Sequence, residues 1–185
     1  MGEFRCSYAG IGSREVTLGE LLDIANISKL LANMNFLLYS GNAPGSDIAF
    51  QKGSNGKCVV YVPWDGFEIA NYNYKTEARK HFVMGRSEAG LASILKYHPN
   101  PASLSTGGKA LMARNWHQIN GVPPEFPKVH FVVVCATPTK KGVDGGSGQA
   151  IRIAEDLNIP VVNIRMEGWR PYLKKVCADV LEKTR

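Results

Sequence analysis

Three glycine-containing stretches carry the residues best able to do chemistry: Gly10-Ile11-Gly12-Ser13-Arg14, Ser40-Gly41-Asn42-Ala43-Pro44-Gly45-Ser46-Asp47 and Asp144-Gly145-Gly146-Ser147-Gly148-Gln149. The third follows the apolar run at residues 129–135 and leads into a helical pattern at residues 150–157. A β-branched run that ends in glycines and passes into a helix is a strand feeding a helix N-terminus. Free backbone N–H groups and the positive end of the helix dipole meet there, and a phosphate is the natural guest. In the first stretch Gly12 would let backbone approach a phosphate while Ser13 and Arg14 donate to it, Arg14 in bidentate fashion; a plain tight turn is the alternative. In the second, Pro44-Gly45 sets the chain direction and Ser46-Asp47 begins a helix. A carboxylate pointing into a phosphate site would repel its ligand, so Asp47 reads as structural or ribose-binding.

Several other chemistries are poorly supplied. The first stretch starts like G-x-G-x-x-G but has no third glycine, and Tyr39-Ser40-Gly41 stands where an acidic residue would hold a ribose diol, which argues against an ordinary nicotinamide or flavin site. No stretch ends in the Lys-Ser/Thr of a Walker P-loop. His81, His98, His117 and His130 lack metal-ligand spacing, with His130 expected inside a buried strand. No Gly-x-Ser-x-Gly elbow or paired Cys and His suggests a covalent nucleophile. We therefore expect no metal and no cofactor.

The elements that must position the three stretches can be read from periodicity. Strands are expected at residues 4–9, 36–39, 57–62, 129–135 and 159–164. Helices are expected from a capping box at Thr17-Leu18-Gly19-Glu20 to about Asn35, over residues 45–53, over 150–157, and over a final helix in which Trp169, Tyr172, Leu173, Val176, Cys177, Val180 and Leu181 repeat at helical spacing. Strands alternating with helices imply a parallel sheet covered on both faces, whose ligands bind outside the carboxyl ends of the strands. All three glycine stretches leave such ends and are expected to converge on one cleft. Residues 64–127 form a helical insertion or lid between strands 3 and 4, with helices near residues 76–95 and 104–120. In it, Arg114, Asn115 and Gln118 would reach a base or phosphate from above, or pack, and Trp64, Phe67, Tyr72 and Tyr74 would stack on a base or pack.

Composition bounds the rest. The 185 residues suffice for one well-buried domain. The four cysteines, Cys6, Cys58, Cys135 and Cys177, are too dispersed for a zinc site or disulfide framework and read as buried thiols of a cytoplasmic protein. No signal-peptide pattern or membrane-length apolar run is present. A net charge of +6 permits polyphosphate or nucleic-acid partners without demanding them. Lys140-Lys141 lies close to the third stretch, and Lys174-Lys175 reads as a solvated helix face.

Taken together, the strand-Gly-Ile-Gly-Ser-Arg, the Ser-Gly-Asn-Ala-Pro-Gly-Ser-Asp-Ile-Ala-Phe and the Asp-Gly-Gly-Ser-Gly-Gln-Ala-Ile-Arg-Ile-Ala segments resemble the SLOG superfamily of Rossmann-like proteins. It includes the DNA-processing protein DprA, the LOG nucleotide phosphoribohydrolases and molybdenum-cofactor carriers. The resemblance is nearest to small DprA-like proteins of bacteria and phages, which also carry a stretch like His98-Pro99 and Lys109-Ala110-Leu111-Met112-Ala113-Arg114-Asn115. It implies a three-layer Rossmann-like α/β sandwich with a mostly parallel sheet of about five strands, spanning residues 1–185. The superfamily's enzymes share Pro-Gly-Gly-x-Gly-Thr-x-x-Glu. Here Gly145, Gly146 and Gly148 match, Asp144 replaces the Pro, Gln149 the Thr, and Arg152 stands in place of the catalytic Glu.

The expected ligand-contacting set is therefore Gly10, Gly12, Ser13, Arg14, Ser40, Gly41, Asn42, Gly45, Ser46, Asp47, Gly145, Gly146, Ser147, Gly148 and Gln149, with Arg114 and Asn115 from the insertion. With the catalytic acid missing, the resemblance points to a protein that holds a nucleotide or nucleotide-derived signalling molecule, as sensor or sequestering agent, in a phage or bacterial defence setting. A nucleotide N-glycosidase is the alternative, with Glu77, Glu88 or Glu155 as substitute acid. A DprA-like single-stranded DNA binder is the second alternative. Oligomers are common in the resembled family, so a homo-oligomer is a further expectation, and no membrane partner is expected.

Overall fold

Alternating residues of each core strand are apolar on both sides, so the sheet must be covered on both faces. In the computed structural model, which describes residues 4–140, 142–143 and 145–185, six strands form one sheet in which all paired neighbours run parallel. In chain order the elements are β1 (Cys6–Gly12), α1 (Leu18–Asn33), β2 (Phe36–Ser40), α2 (Ser46–Gly53), β3 (Cys58–Val62), α3 (Tyr74–Glu77) and β4 (Lys80–Val83). They continue with α4 (Glu88–Tyr97), a short 3-10 turn, α5 (Thr106–Asn120), β5 (Phe131–Cys135), α6 (Gly145–Asp156), β6 (Val161–Asn163) and α7 (Trp169–Lys183). The strand order is β4-β3-β2-β1-β5-β6, so the chain winds outward from β1 to one edge and then crosses to β5. The order reverses between β1 and β5, where Tyr8 pairs with Phe131 and Gly12 with Cys135.

Two cores follow from the period of two along each strand. One side gathers Tyr8, Leu38, Val60, Phe131 and Val133 against Ile24, Ile27 and Leu31 of α1, Phe50 of α2, and Leu173, Val176 and Val180 of α7. The other gathers Ala9, Tyr39, Tyr61, Val132 and Val134 against Tyr97 of α4, Ile119 of α5, and Ala150 and Ile153 of α6. The architecture is the expected Rossmann-like α/β sandwich. The capping box forms as expected, Thr17 Oγ1 accepting from Glu20 N at 3.1 Å and Glu20 Oε2 from Thr17 N at 2.9 Å.

The structure differs from the expected elements in three places. The sheet has six strands rather than about five, because part of the helix expected near residues 76–95 is the edge strand β4, flanked by α3 and α4. Lys80 and Val83 of this strand are exposed, so its pattern mixes polar and apolar residues, and pairing to Val59–Val62 decides its conformation. β1 runs on to Gly12, so Gly10-Ile11-Gly12 is strand and the turn begins at Ser13. His130 precedes β5 instead of lying within it; its Nδ1 accepts from Ser7 N at 3.1 Å. All four cysteines are buried free thiols. Among the described residues no helix is long and apolar enough to cross a membrane.

Candidate functional site

Parallel sheets bind ligands where the strand order reverses, because adjacent connections there leave in opposite directions and open a crevice. At that point a cleft of about 520 Å³ lies across the carboxyl ends of β1 and β5. Its size suits a nucleotide-sized ligand. One wall is Ile11, Gly12, Ser13 and Arg14 leaving β1, and the opposite wall is Gly146, Ser147 and Ala150 of α6. Asp47 of α2 enters from one helical layer, and Arg114, Asn115 and Gln118 of α5 from the other.

The first wall is held by backbone. Ser13 N donates to Cys135 O at 2.7 Å, fastening the β1 exit to β5. Gly12 has a φ of 154°, and a Cβ there would lie 2.7 Å from Ser46 Oγ and 2.8 Å from Cys135 N, so no side chain fits. Arg14 is exposed at the rim and makes no hydrogen bond or ion pair among the described residues. On the opposite wall, Asn115 Nδ2 donates to Gly146 O at 3.2 Å and holds the first turn of α6 in place. The early N–H groups of that helix have no intrahelical acceptor.

The second glycine stretch behaves differently from the other two. Several of its donors are used within the protein: Ser46 N and Oγ both reach Ser13 O, at 3.1 and 2.8 Å. Asn42 N reaches Gln51 Oε1 at 2.9 Å, and Ala43 N reaches Asp47 Oδ2 at 3.2 Å. Ser40 Oγ donates to Gly10 O at 2.9 Å, and Asn42 Nδ2 to Phe67 O at 2.9 Å. The stretch supports Ser13 from behind and contributes Ala43 and Asp47 to the cleft.

The floor carries charge. Arg114 is buried; its Nη1 donates to Gly41 O, and its guanidinium lies 5.3 Å from the centre of the Phe67 ring. Burial pushes its pKa down to about 10, against the pull of Asp47. Burial pushes the Asp47 carboxyl up to about 6, against the pull of Arg114. The Arg114 Nε and Gln118 Nε2 atoms are buried with no partner.

Of the expected ligand set, the structure brings Gly12, Ser13, Arg14, Asp47, Arg114, Asn115, Gly146 and Ser147 to the cleft surface. Gly10, Ser40, Gly41, Asn42, Gly45, Ser46, Gly145, Gly148 and Gln149 lie outside its lining. Gly10 admits Phe50 against β1, and Gln149 is fully buried with its Nε2 3.4 Å from Met112 O. Asp144 and Lys141 lie outside the described residues. Arg152 is outside the cleft lining, donating from Nε to Tyr97 O at 2.7 Å and from Nη1 to Val143 O at 3.2 Å. Glu77, Glu88 and Glu155 are exposed and absent from the lining. Phe67, Tyr72 and Tyr74 are buried packing residues, with Trp64 partly exposed over Phe67.

Sequence reasoning missed Arg165, Thr137 and the apolar wall of Leu111 and Met112. Arg165 follows β6, and the rule that ligands gather at carboxyl strand ends would have flagged it. It forms a fork on Glu20, Nε–Oε1 2.7 Å and Nη2–Oε2 3.0 Å, and also donates to Thr137 Oγ1 at 2.9 Å and Glu15 O at 2.8 Å. The Arg165 guanidinium holds Glu20 down at about 2. This clasp ties the β6 exit to the loop that carries Ser13 and Arg14.

Fold and site define a Rossmann-like parallel α/β protein with an open cleft at the switch point. Among solved structures, the chain is similar to DNA processing protein A from Helicobacter pylori, a protein characterised for its single-stranded DNA binding mode. The match has 18% identity and a TM-score of 0.57, covering 85% of this chain and 64% of that one, so the likeness is one of fold. No protein-family profile matches the chain. No curated protein matches it in sequence.

Proposed function

We propose that the switch-point cleft binds single-stranded nucleic acid, with a backbone phosphate seated between the β1 exit and the first turn of α6. The carrying observation is the pairing of Gly12, Ser13 and the uncommitted Arg14 with Gly146 and Ser147 on one open cleft. The fold shared with DNA processing protein A, itself described as binding single-stranded DNA, supports this reading over a closed site for a free metabolite. It also supports placing the chain among DprA-like members of the SLOG superfamily. The net charge of +6 favours a polyanion.

The charge arrangement sets the strength of the effect. Arg165 is committed to Glu20 and Arg114 faces Asp47, so few cations are free for phosphate. For two or three phosphates neutralised, affinity should fall roughly tenfold between about 50 and 200 mM salt. Fluorescence anisotropy with a labelled single-stranded 12-mer measures this, and Arg14→Ala should weaken binding and reduce the salt slope by about 0.7. Binding unaffected by both salt and Arg14→Ala would refute the proposal.

A free nucleotide is the second reading, favoured by a cleft of about 520 Å³ at the strand-order reversal. Base release by an N-glycosidase has less support: Asp47 is the one carboxylate lining the cleft among the described residues, and Arg152 occupies its position as a structural clasp.

A further inference from the structure

The carboxyl edge of the sheet continues past the cleft toward β4. Because paired neighbours all run parallel, the segments that leave β4, β3 and β1 emerge along one edge in that order. Arg86 follows β4, Trp64 follows β3 and Arg14 follows β1. With neighbouring strands about 4.8 Å apart, the β3 exit lies about 10 Å from the β1 exit and the β4 exit about 14 Å from it. A single strand of nucleic acid advances about 3.4 Å per nucleotide when stacked and more when extended, so a few nucleotides cover that distance.

Trp64 is 44% exposed and sits on a fixed base. Its ring centre is 5.2 Å from that of the buried Phe67, with the two planes at 86°, and Phe67 in turn lies 5.3 Å from the Arg114 guanidinium. The loop after it is tied down: Asn42 Nδ2 donates to Phe67 O and Tyr72 O at 2.9 and 3.3 Å, and Gly66 N donates to Tyr74 Oη at 2.8 Å. The neighbouring Asp65 carboxylate is paired with Lys75 Nζ at 2.7 Å, which offsets its charge. An indole already held in place loses little freedom when a base stacks on it.

Arg86 emerges alongside. Met84 N donates to Val62 O at 2.8 Å, and Gly85 lies so close to Pro63 O that no side chain fits, so the two chains leave the sheet in contact. Arg86 is exposed and makes no hydrogen bond or ion pair among the described residues. A lone exposed tryptophan needs no explanation. One placed between two uncommitted arginines, on the edge that carries the cleft, supplies both parts of single-strand recognition: a flat face for a base and charge for the backbone.

We infer that Trp64 and Arg86 form a second subsite for single-stranded nucleic acid, in which one base stacks on the Trp64 indole and a backbone phosphate meets Arg86. Another phosphate of the same strand sits at the cleft rim by Arg14. This inference rests on the single-stranded reading of the cleft and adds a path to it, along the carboxyl edge from β1 toward β4.

The test compares a base-bearing single-stranded 12-mer with a 12-mer of the same backbone carrying abasic sites, by fluorescence anisotropy. The proteins are the wild type, Trp64→Leu, Trp64→Phe, Arg86→Ala and Arg14→Ala. Leucine keeps apolar contact with Phe67 while removing the flat ring, and thermal melting checks that the fold persists. Trp64→Leu should weaken the base-bearing strand about fivefold to a hundredfold, the loss of one stacked base, and leave the abasic strand unchanged. Trp64→Phe should recover most of that loss. Arg86→Ala should weaken both strands and lower the salt slope by about 0.7. A Trp64→Leu protein that binds the base-bearing strand like wild type, or loses both strands equally, overturns the stacking platform; if Arg14→Ala still weakens binding, the cleft reading stands without it. Wild-type affinity in Arg86→Ala removes that residue from the subsite. If Trp64→Leu selectively weakens the base-bearing strand while Arg14→Ala changes nothing, the platform stands and the phosphate rim falls. If the wild type binds neither strand, both fall.

Discussion

Gly12 and Gly146 face each other across the cleft, yet a side chain should have opposite consequences at the two positions. At Gly12 the backbone has a φ of 154°, and a Cβ would lie 2.7 Å from Ser46 Oγ and 2.8 Å from Cys135 N. A strained backbone conformation costs about 1–3 kcal/mol. Overpacking adds about 1–3 kcal/mol. Displacing β5 would also weaken the 2.7 Å bond from Ser13 N to Cys135 O, which is worth about 1 kcal/mol. Gly12→Ala should therefore lose about 3–7 kcal/mol, against a typical total of roughly 5–15, and lower the melting temperature by roughly 6–28 °C. At Gly146 a Cβ meets only Asn115 Nδ2 at 3.4 Å and Met112 Cε at 3.7 Å, and a carboxylate in the first turn of α6 suits the helix dipole. Gly146→Asp should thus melt within a few degrees of wild type. For ligand, a unit charge about 5–6 Å from a bound phosphate at an effective dielectric near 20 opposes binding by about 3 kcal/mol, or roughly a hundredfold. Differential scanning calorimetry and strand-binding anisotropy on both variants measure the pair of effects. A folded Gly146→Asp that binds within threefold of wild type would refute the placement of the phosphate at α6. A Gly12→Ala that melts like wild type would refute the packing argument for the β1 exit.

Three further outcomes follow from the charged groups. Asp47 has its folded pKa raised by burial to about 6, above the ordinary 3.8, so the native state binds the extra proton and stability falls as pH rises from about 4 to about 6. Asp47→Asn should remove that dependence and stabilise the protein at pH 7 by an amount on the order of 3 kcal/mol, read from urea unfolding at pH 4, 5, 6 and 7. Glu20 has the opposite sign: held down at about 2 by Arg165, it contributes stability above pH 4.5 that is lost as pH falls toward 2. Arg165→Met should lose about 1–3 kcal/mol, flatten that acid limb and increase amide exchange over residues 13–15, whose loop the clasp holds through Glu15 O. Arg152→Glu restores the carboxylate of the resembled enzymes but removes donors from Tyr97 O and Val143 O, so it should destabilise by about 2–4 kcal/mol and release no free base from nucleoside monophosphates by chromatography.

How much was legible in the chain depended on whether the deciding contacts were local. The alternation of apolar runs and helical periods was enough for the parallel, two-faced sheet, and Thr17-Leu18-Gly19-Glu20 was enough for the start of α1, because these signals are written within a few residues. β4 was not legible. Lys80-His81-Phe82-Val83 is short, half-exposed and strand only by virtue of pairing with β3. The same division holds at the site. Ser13, Arg14, Gly146 and Ser147 announce themselves by sitting beside glycines at strand ends. Arg165 reaches the β1 exit through Glu20, a residue 145 positions away, and no local pattern reports such a contact.

The second glycine stretch shows why motif reading alone overstated the phosphate-binding surface. Its glycine and small polar residues look like the other two, but a turn binds an anion only if its N–H groups are left over after folding. At Ser40–Asp47 several are not, since Ser13 O, Gln51 Oε1 and Asp47 Oδ2 take the donors of Ser46, Asn42 and Ala43. The consequence is an asymmetric cleft. At the β1 exit Ser13 N is taken by Cys135 O, which leaves the Arg14 side chain there and the first turn of α6 opposite to meet a phosphate at the rim, while α2 delivers a carboxylate to the floor opposite Arg114. A uniformly cationic pocket would hold phosphate anywhere within it; here the Asp47 carboxylate opposes a phosphate on the floor, which in the proposed reading favours the rim.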